Sequence, residues 1–299
     1  MALSPVPGIL RPMTIDSAPI KRTAGEDAAV ICLDKVEVRY RGGVIGLQPT
    51  TIRFRSRQFT VLLGLSGAGK STLLRVLNHM VTPTSGCVTA TGIGPLESPA
   101  ALRAHRRRTA MIFQSHQLIG RHTALQNVLV GRLGFRSTLR TLFPMPRADR
   151  LRALDCLERV GLVDKALVRV DRLSGGQQQR VGIARALVQR PRLILADEPV
   201  ASLDPATSER IMRELRDICR EDGIPCIVSL HQLDIATAFA DRIVGLAGGR
   251  IVFDGPPARL TADHLARIYG GLPADAVADM APPAEAANAF NPKKLEVVG

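Results

Sequence analysis

The stretch Gly64-Leu65-Ser66-Gly67-Ala68-Gly69-Lys70-Ser71-Thr72 decides the fold of this chain. The apolar run at residues 59–63 predicts a buried β-strand directly before it, and residues 73–77 predict the first turns of a helix directly after it. In this strand–loop–helix context, the glycines let successive backbone N–H groups point into one concavity that binds phosphate oxygens. The helix N-terminus adds a partial positive charge behind them. The sequence therefore predicts an α/β fold built around a phosphate-binding loop.

Two side chains of this loop carry the chemistry of a nucleoside triphosphate site. Lys70 is placed to reach the β- and γ-phosphates, and Ser71 offers its hydroxyl to Mg²⁺. A plain glycine-rich turn between a strand and a helix is the alternative, which the full pattern in this context disfavours. The predicted nucleotide-binding residues of this segment are Gly64, Ser66, Gly67, Ala68, Gly69, Lys70, Ser71 and Thr72.

A second apolar run, at residues 193–196, ends on the two acids Asp197 and Glu198. In a protein with a phosphate-binding loop, the aspartate at such a strand end holds Mg²⁺. The glutamate that follows is placed to accept a proton from an attacking water molecule. An apolar run followed by Asp-Glu also occurs by chance, but its position about 125 residues downstream of the loop strengthens the interpretation.

A third motif, Leu173-Ser174-Gly175-Gly176-Gln177-Gln178-Gln179-Arg180, comes just before a predicted helix. A serine and two glycines at a helix N-terminus form a second phosphate-binding device. A capping turn is the alternative, and it would explain Ser174 and one glycine. It would not explain two glycines followed by three glutamines and an arginine.

The charge and cysteine content restrict the class of protein. The formal net charge of +13 indicates an anionic partner, which could be nucleic acid, a membrane surface or an anionic ligand. A basic run at residues 103–108 is either a solvated helix face or a functional surface. No apolar run approaches the roughly 20 residues that span a bilayer, and the N-terminus lacks the apolar segment of a secretory signal, so we expect a cytosolic chain. The five cysteines form no CxxC pair, which favours free thiols.

Composition divides the chain into a leader, a folded region and a tail. Residues 1–28 are predicted to form a flexible leader, residues 29–271 a folded domain, and residues 272–299, which are rich in Ala and Pro, a disordered tail. A helical pattern at about residues 115–172 predicts a helical subdomain inserted within the α/β domain.

Shorter patterns predict the secondary structure around these motifs. Residues 29–33 and 36–40 predict two strands, and residues 51–54 alternate as a half-exposed strand does. A β-rich layer is therefore expected before the phosphate-binding loop. After the helical subdomain, the α/β pattern is expected to resume with a helix that begins at Arg180.

The third motif, at residues 173–180, matches the signature of ATP-binding cassette (ABC) proteins, and the chain resembles that family from about residue 30 to about residue 270. Tyr40 stands where the family has an aromatic that stacks on adenine, and Gln114 stands at the Q-loop position. Residues 202–204 resemble the D-loop, and His231 matches the switch histidine. The resemblance implies the ABC ATPase fold, which is a P-loop NTPase core with an antiparallel β subdomain and an inserted α-helical subdomain.

The resemblance also implies how ATP is bound and hydrolysed. Two subunits would form a head-to-tail dimer with two ATP molecules at the interface, and the signature of one would bind the γ-phosphate held by the other. Glu198 would polarise the water, His231 would contact the γ-phosphate, and Gln114 would sense Mg²⁺ beside Ser71 and Asp197. The residues that the resemblance adds to the nucleotide-binding set are Tyr40, Ser174, Gly175, Gly176, Gln177 and Asp204.

Several flanking strings, at residues 113–121, 127–134, 196–205, 229–234 and 253–257, are similar to the ATPase subunit of bacterial phosphonate importers. That similarity implies a translocase on the cytoplasmic face of the bacterial inner membrane, as a peripheral protein. Two copies would work with two transmembrane permease subunits, and an extracytoplasmic binding protein would deliver the phosphonate. The positive charge would then face the anionic inner leaflet, with no nucleic acid partner.

Other functions remain open at this stage. The nearest are importers of another oxyanion, an amino acid or a betaine. A DNA-maintenance ATPase is disfavoured because only about 100 residues separate the loop from the signature, with no sustained heptads for a coiled coil. A translation factor with two fused cassettes is disfavoured because the chain has one phosphate-binding loop and one signature.

Overall fold

A computed structural model describes residues 28–114, 117–137 and 143–270. The strands in this part of the chain are β1 (Ala29–Arg39), β2 (Ile45–Arg55), β3 (Phe59–Leu63), β4 (Ser85–Ala90), β5 (Gly94–Pro95), β6 (Thr109–Ile112), β7 (Leu193–Asp197), β8 (Cys226–Leu230), β9 (Arg242–Ala247) and β10 (Arg250–Gly255). The α-helices are α1 (Lys70–Leu77), α2 (Pro99–Arg108), α3 (Ala124–Val130), α4 (Arg147–Arg159), α5 (Gly175–Leu187), α6 (Pro205–Glu221), α7 (Leu233–Phe239) and α8 (Ala262–Ile268).

The central sheet has six strands in the order β10-β9-β3-β8-β7-β6. Its strands are parallel except β10, which forms an antiparallel hairpin with β9. Strands β3, β7 and β8 are buried at every residue, as expected for apolar parallel strands that are covered on both faces. Because parallel strands end at one edge, the segments that follow β3, β6, β7 and β8 meet at the carboxyl edge of this sheet.

A second sheet, with the order β2-β1-β4-β5, is antiparallel and packs beside α1. Its core is shared with the central sheet, since Phe54 of β2, Leu62 of β3 and Leu73 of α1 belong to one buried apolar cluster. This sheet is the predicted β-rich layer. The two short strands predicted at residues 29–33 and 36–40 are one continuous strand, β1, which bends at its register shifts instead of breaking.

Helices α3, α4 and α5 pack against one another and form a helical layer. This layer shares a second buried apolar cluster with the opposite face of the central sheet. Val128, Leu157 and Ile183 are fully buried there, in the same cluster as Val228 of the central sheet. Helix α3 begins with a capping box in which Thr123 and Gln126 satisfy each other's backbone N–H groups. The helical subdomain is thus continuous with the core of the α/β domain.

Helix α5 begins at Gly175, and the predicted start at Arg180 is wrong by five residues. Ser174 and Gln177 form a capping box at its N-terminus, and this pair outweighs the low helix propensity of the two glycines. The basic run at residues 103–108 lies in α2, and all five cysteines are free thiols. Parts of the predicted segments lie outside the described residues. These are residues 1–27 of the predicted leader, residues 115–116 and 138–142 of the predicted helical subdomain, and the whole predicted tail at residues 272–299.

Candidate nucleotide-binding site

The phosphate-binding loop leaves the carboxyl end of β3 and enters α1 at Lys70. Gly67 and Gly69 have φ of 81° and 104°, in the left-handed region that side chains rarely adopt. A Cβ on Gly69 would also lie 2.7 Å from the carbonyl oxygen of Gly46. Gly69 has no side chain to cap α1, so no capping side chain occupies the first N–H groups of the helix. Ser66 and Gly67 are exposed, whereas Gly64 and Ala68 are buried. The loop therefore has the concavity and the donors for phosphate.

Lys70 lies inside this loop with only 4% of its side chain exposed. Its Nζ donates to the carbonyl oxygens of Gly64 and Leu65 at 2.7 and 3.0 Å. Burial lowers the pKa of Lys70, and the nearby carboxylates of Glu198 and Asp197 act in the opposite direction. The ammonium group is thus held by the loop's own backbone at the position predicted for phosphate.

Ser71 and Asp197 meet at the carboxyl edge although 126 residues separate them in the chain. Ser71 Oγ donates to Asp197 Oδ1 at 2.8 Å. A hydroxyl and a carboxylate are hard oxygen donors of the kind that Mg²⁺ prefers when phosphate and water complete its shell. No group of three or more His, Cys, Asp or Glu side chains suited to a metal occurs within the described residues. The donor set therefore fits a cation shared with a phosphate ligand.

Glu198 follows β7 at the carboxyl edge of the central sheet and lies between Lys70 and His231. Its Oε1 lies 3.8 Å from Lys70 Nζ, and its Oε2 lies 3.9 Å from Nδ1 of His231. The His231 side chain is 48% exposed at the end of β8. Lys70 and His231, predicted to contact the γ-phosphate, and Glu198, predicted to polarise the attacking water, are therefore brought together at the ends of β3, β7 and β8. Both distances exceed a direct hydrogen bond, so Glu198 faces Lys70 and His231 without being hydrogen-bonded to either.

Ser229 is a site residue that the sequence did not indicate. It is the fourth residue of β8, is fully buried, and lies opposite Asp197 in the strand pairing. Its Oγ donates to Asp197 Oδ1 at 2.8 Å and accepts from the Glu198 N–H at 2.9 Å. Ser229 opens the string at residues 229–234 that resembles phosphonate-importer ATPases, but that resemblance assigns it no role. The signal that could have found it is a polar residue in a run of apolar residues.

Tyr40 lies beside the loop, one residue after β1 ends. Its hydroxyl is 3.0 Å from the hydroxyl of Thr72 in α1, and its side chain is partly exposed. A Cβ on Gly46 would lie 2.4 Å from the Tyr40 ring, so that glycine permits the ring to occupy its place. The aromatic ring is thus fixed against the phosphate-binding loop, where an adenine could stack on it.

The signature residues occupy a separate cavity of about 450 Å³. Its lining includes Ser174, Gly175, Gly176, Gln177 and Asp204, and no residue of the phosphate-binding loop. Asp204 is the N-cap of α6 and accepts from the Thr207 N–H at 2.9 Å. Ser174 Oγ accepts from the Gln177 N–H, which leaves its O–H as a donor for a ligand. The signature residues and the phosphate-binding loop of one subunit therefore lie in two separate places.

Gln114 is exposed and lies two residues after β6, at the same carboxyl edge as Asp197. The flanking residues Phe113 and Gln117 line an open groove of about 750 Å³ between α2 and the helical layer. The cationic residues of this groove are Arg103, Arg106, Arg107 and Arg185. Arg107 donates to the carbonyl of Gly134 at 2.8 Å, and its guanidinium carbon lies 5.9 Å from the centre of the Phe135 ring. The groove is thus positively charged with aromatic walls.

Comparisons with known proteins agree with this geometry. The model of the ABC transporter family matches residues 47–201, just over half of the chain. The chain is 68% identical to the phosphite import ATP-binding protein PxtA of Stutzerimonas stutzeri over 81% of this chain and 88% of that protein. It is 60% identical to the phosphonates import ATP-binding protein PhnC 3 of Nostoc sp. over 81% of this chain and 92% of that protein.

A solved structure with the same architecture is the ATP-binding cassette MJ0796, in a dimeric post-hydrolysis state bound to ADP and Pi. The TM-score is 0.66 at 34% identity, over 76% of this chain and 98% of that chain. This confirms the predicted fold, with its P-loop core, antiparallel β subdomain and inserted helices. No helix in the described part of the chain is both long and apolar enough to cross a membrane. The chain belongs to the ABC transporter family.

Proposed function

We propose that this protein is the ATP-hydrolysing subunit of a bacterial ABC importer that takes up phosphonates across the inner membrane. The observation that carries the hydrolytic part is the position of Glu198, whose carboxylate lies between Lys70 and His231. The solute is supported by the relatives, since a protein named for phosphonate import is 60% identical to this chain. The cassette itself is not expected to touch the transported solute.

ATP would bind with its phosphates at the N-terminus of α1 and its adenine on Tyr40. Lys70 would exchange the carbonyls of Gly64 and Leu65 for the β- and γ-phosphates. Glu198 would accept a proton from the attacking water, and His231 would contact the γ-phosphate. Ser71, Asp197 and Gln114 would hold Mg²⁺, which neutralises charge on the phosphates when bound.

The functional unit would be a head-to-tail homodimer. The signature cavity on α5 excludes the phosphate-binding loop of its own chain, so a second copy is needed to bring the two together. Ser174, Gly175 and Gly176 would then donate to the γ-phosphate bound by the partner subunit, with Gln177 and Asp204 beside them. The dimeric state of the cassette MJ0796 with ADP and Pi supports this arrangement.

The groove beside Gln114 is the proposed docking site for a cytoplasmic helix of a transmembrane permease subunit. Phe113 and Phe135 offer apolar contact, and the four arginines of the groove favour carboxylates on the docking helix. Two cassettes would thus engage two permease subunits, and an extracytoplasmic binding protein would act indirectly. The cassette would lie on the cytoplasmic face of the inner membrane, where the net charge of +13 faces anionic lipid and needs no nucleic acid partner.

Phosphite is the second candidate solute, because the protein named for phosphite import is 68% identical to this chain. Phosphite and phosphonates are both tetrahedral phosphorus oxyanions in which one substituent on phosphorus is not oxygen. The cassette geometry supports both equally, because neither solute enters the ATP site. Uptake measurements, and not the residues described above, therefore decide between phosphite and phosphonates.

Deleting the gene from its host bacterium should abolish growth on methylphosphonate or on phosphite as the sole phosphorus source and leave growth on phosphate unchanged. Growth curves on the three media measure this, and a plasmid copy of the wild type should restore the lost growth. A plasmid copy carrying E198Q is the matched control and should not restore it. Unchanged growth on both compounds, in a strain without a second importer, would refute the proposed solutes while leaving the ATPase assignment intact.

A further inference from the structure

Ser229 connects the two acidic residues of the ATP site through a single buried hydroxyl. It lies on the central strand β8, between β3 and β7, with 0% of its surface exposed. Four of the five residues of this strand are apolar or sulfur-containing, so a hydroxyl here must find partners within the protein. Its two partners are Asp197 and Glu198.

The geometry leaves the Ser229 hydroxyl one orientation. A backbone N–H can only donate, so Oγ accepts from Glu198, and the single hydroxyl hydrogen is directed to Asp197 Oδ1. The same Oδ1 accepts from Ser71 Oγ at 2.8 Å. The carboxylate predicted to bind the cation is therefore held by one hydroxyl from the phosphate-binding loop and one from β8.

The backbone of Glu198 needs such a restraint. Its φ is 45°, in the left-handed region that is unfavourable for residues with a side chain. The Ser229 hydrogen bond to its N–H acts at this strained residue and thereby fixes the direction in which the side chain leaves the strand. The Glu198 carboxylate reaches the space between Lys70 and His231 from that backbone position.

We propose that Ser229 is a positioning residue for ATP hydrolysis, which sets the Asp197 carboxylate and the Glu198 backbone at the same time. This inference rests on the proposed role of Glu198 as the general base. It predicts that Ser229 acts through these two residues and does not contact ATP. Loss of the hydroxyl should therefore affect turnover and the Mg²⁺ requirement more than ATP affinity.

The test compares S229A with the wild type in steady-state ATP hydrolysis. Removing a hydrogen bond to a charged group should lower kcat by about 10- to 100-fold. KM for ATP should change little, and the Mg²⁺ concentration for half-maximal activity should rise because Asp197 loses one of its two hydroxyl donors. S229T keeps the hydroxyl and should retain most of the activity. S229C is close to serine in volume but a weak donor and should resemble S229A.

The matched control is T60V, which removes another hydroxyl that is almost fully buried, near the opposite end of the neighbouring strand β3. T60V should keep wild-type kcat, and its melting temperature calibrates the general cost of losing a buried hydroxyl. E198Q is measured in parallel. Wild-type kcat in S229A beside an inactive E198Q would overturn the positioning role, as would an S229T as defective as S229A. An active E198Q would instead overturn the proposed general base.

A second buried hydroxyl, that of Tyr269, contacts the backbone of His231. The Tyr269 O–H donates to the backbone carbonyl of His231 at 3.1 Å, and the residue is 3% exposed. Burial raises the pKa of Tyr269 to about 12, so the phenol remains a donor across the physiological range. Tyr269 follows α8 directly, and that helix lies so close to β9 that a Cβ on Gly245 would be 2.5 Å from Ile268. The helix is therefore a fixed support for this contact.

We infer that Tyr269 positions His231 through this hydrogen bond to its backbone carbonyl. The variant Y269F removes the hydroxyl and keeps the ring. Y269F should lower kcat about 3- to 10-fold, the effect of one neutral hydrogen bond, with KM for ATP unchanged. The loss should vanish in an H231A background, because a residue that acts through His231 has nothing left to position. I268V is the packing control and should lower the melting temperature without changing kcat. Equal losses from Y269F with and without His231 would overturn the inference.

Discussion

The variant E198Q should bind ATP and fail to turn it over. General base catalysis typically contributes a factor of about 100 to 10,000, so kcat should fall by that range. ATP affinity should be kept or increased, because the substitution removes a negative charge 3.8 Å from Lys70, the lysine proposed to bind the phosphates. The measurement is phosphate release at saturating ATP, with nucleotide binding determined separately by fluorescence or calorimetry.

The oligomeric state and a control variant make the E198Q experiment decisive. Because ATP would persist in the site, the variant should accumulate as an ATP-bound dimer in light scattering, whereas the wild type should return to monomer as ATP is consumed. E209Q is the control, since Glu209 pairs only with Arg213 on the exposed face of α6 within the described contacts. Rapid multiple turnover by E198Q would falsify the general base assignment. A monomeric E198Q with bound ATP would contradict the dimer alone.

The variant K70M should lose ATP binding. Each hydrogen bond from a charged donor is worth about 1.5–3 kcal/mol, and Lys70 is placed to make two with the phosphates. At about 1.4 kcal/mol per tenfold, the dissociation constant should rise at least about 100-fold. Binding of a fluorescent ATP analogue measures this directly. K165M is the control, because Lys165 pairs with the exposed Asp164 in the helical subdomain.

K70M should nevertheless fold normally at neutral pH. Burial lowers the pKa of Lys70 in the folded protein, so the unfolded chain binds its proton more tightly, and the charged lysine opposes folding below its folded-state pKa. Methionine removes that cost while filling a similar volume. We therefore expect a melting temperature near that of the wild type. An unfolded K70M would mean that the bonds to Gly64 and Leu65 outweigh the desolvation of the ammonium group.

The sequence predicted the carboxyl edge of the site because local patterns and one topological rule determine it. Residues 59–63 form a strand with the predicted bounds, and the run at 193–196 extends only to Asp197. Parallel strands end at a common edge, so Ser71 and Asp197 were expected together, and they are hydrogen-bonded across 126 residues of chain. The catalytic roles assigned to these residues remain predictions.

The sequence could not predict Ser229 and Tyr269, the residues whose hydrogen bonds hold the carboxyl edge in place. Ser229 and Tyr269 act through hydrogen bonds to residues 31 to 38 positions away, and no sequence motif assigns a role to either of them. Their effect depends on strand register and helix packing, which a linear pattern does not encode. Helix α8, which carries Tyr269 at its end, is short and was not predicted. The predicted start of α5 is too late because the two glycines have low helix propensity, and the capping box of Ser174 and Gln177 outweighs it.

The place of β3 in the central sheet also determines when the subunit can fold. Its neighbours are β8 and β9, and Phe59 pairs with Cys226. At about 5–20 residues per second, a ribosome would complete β3 roughly 9 to 37 seconds before both neighbours exist. All four strands of the antiparallel sheet, by contrast, lie between residues 29 and 95, and in the folded protein this sheet shares a buried cluster with Leu62. The nascent chain therefore carries its phosphate-binding loop unanchored for most of its synthesis, so an incomplete subunit has no assembled site in which to consume ATP.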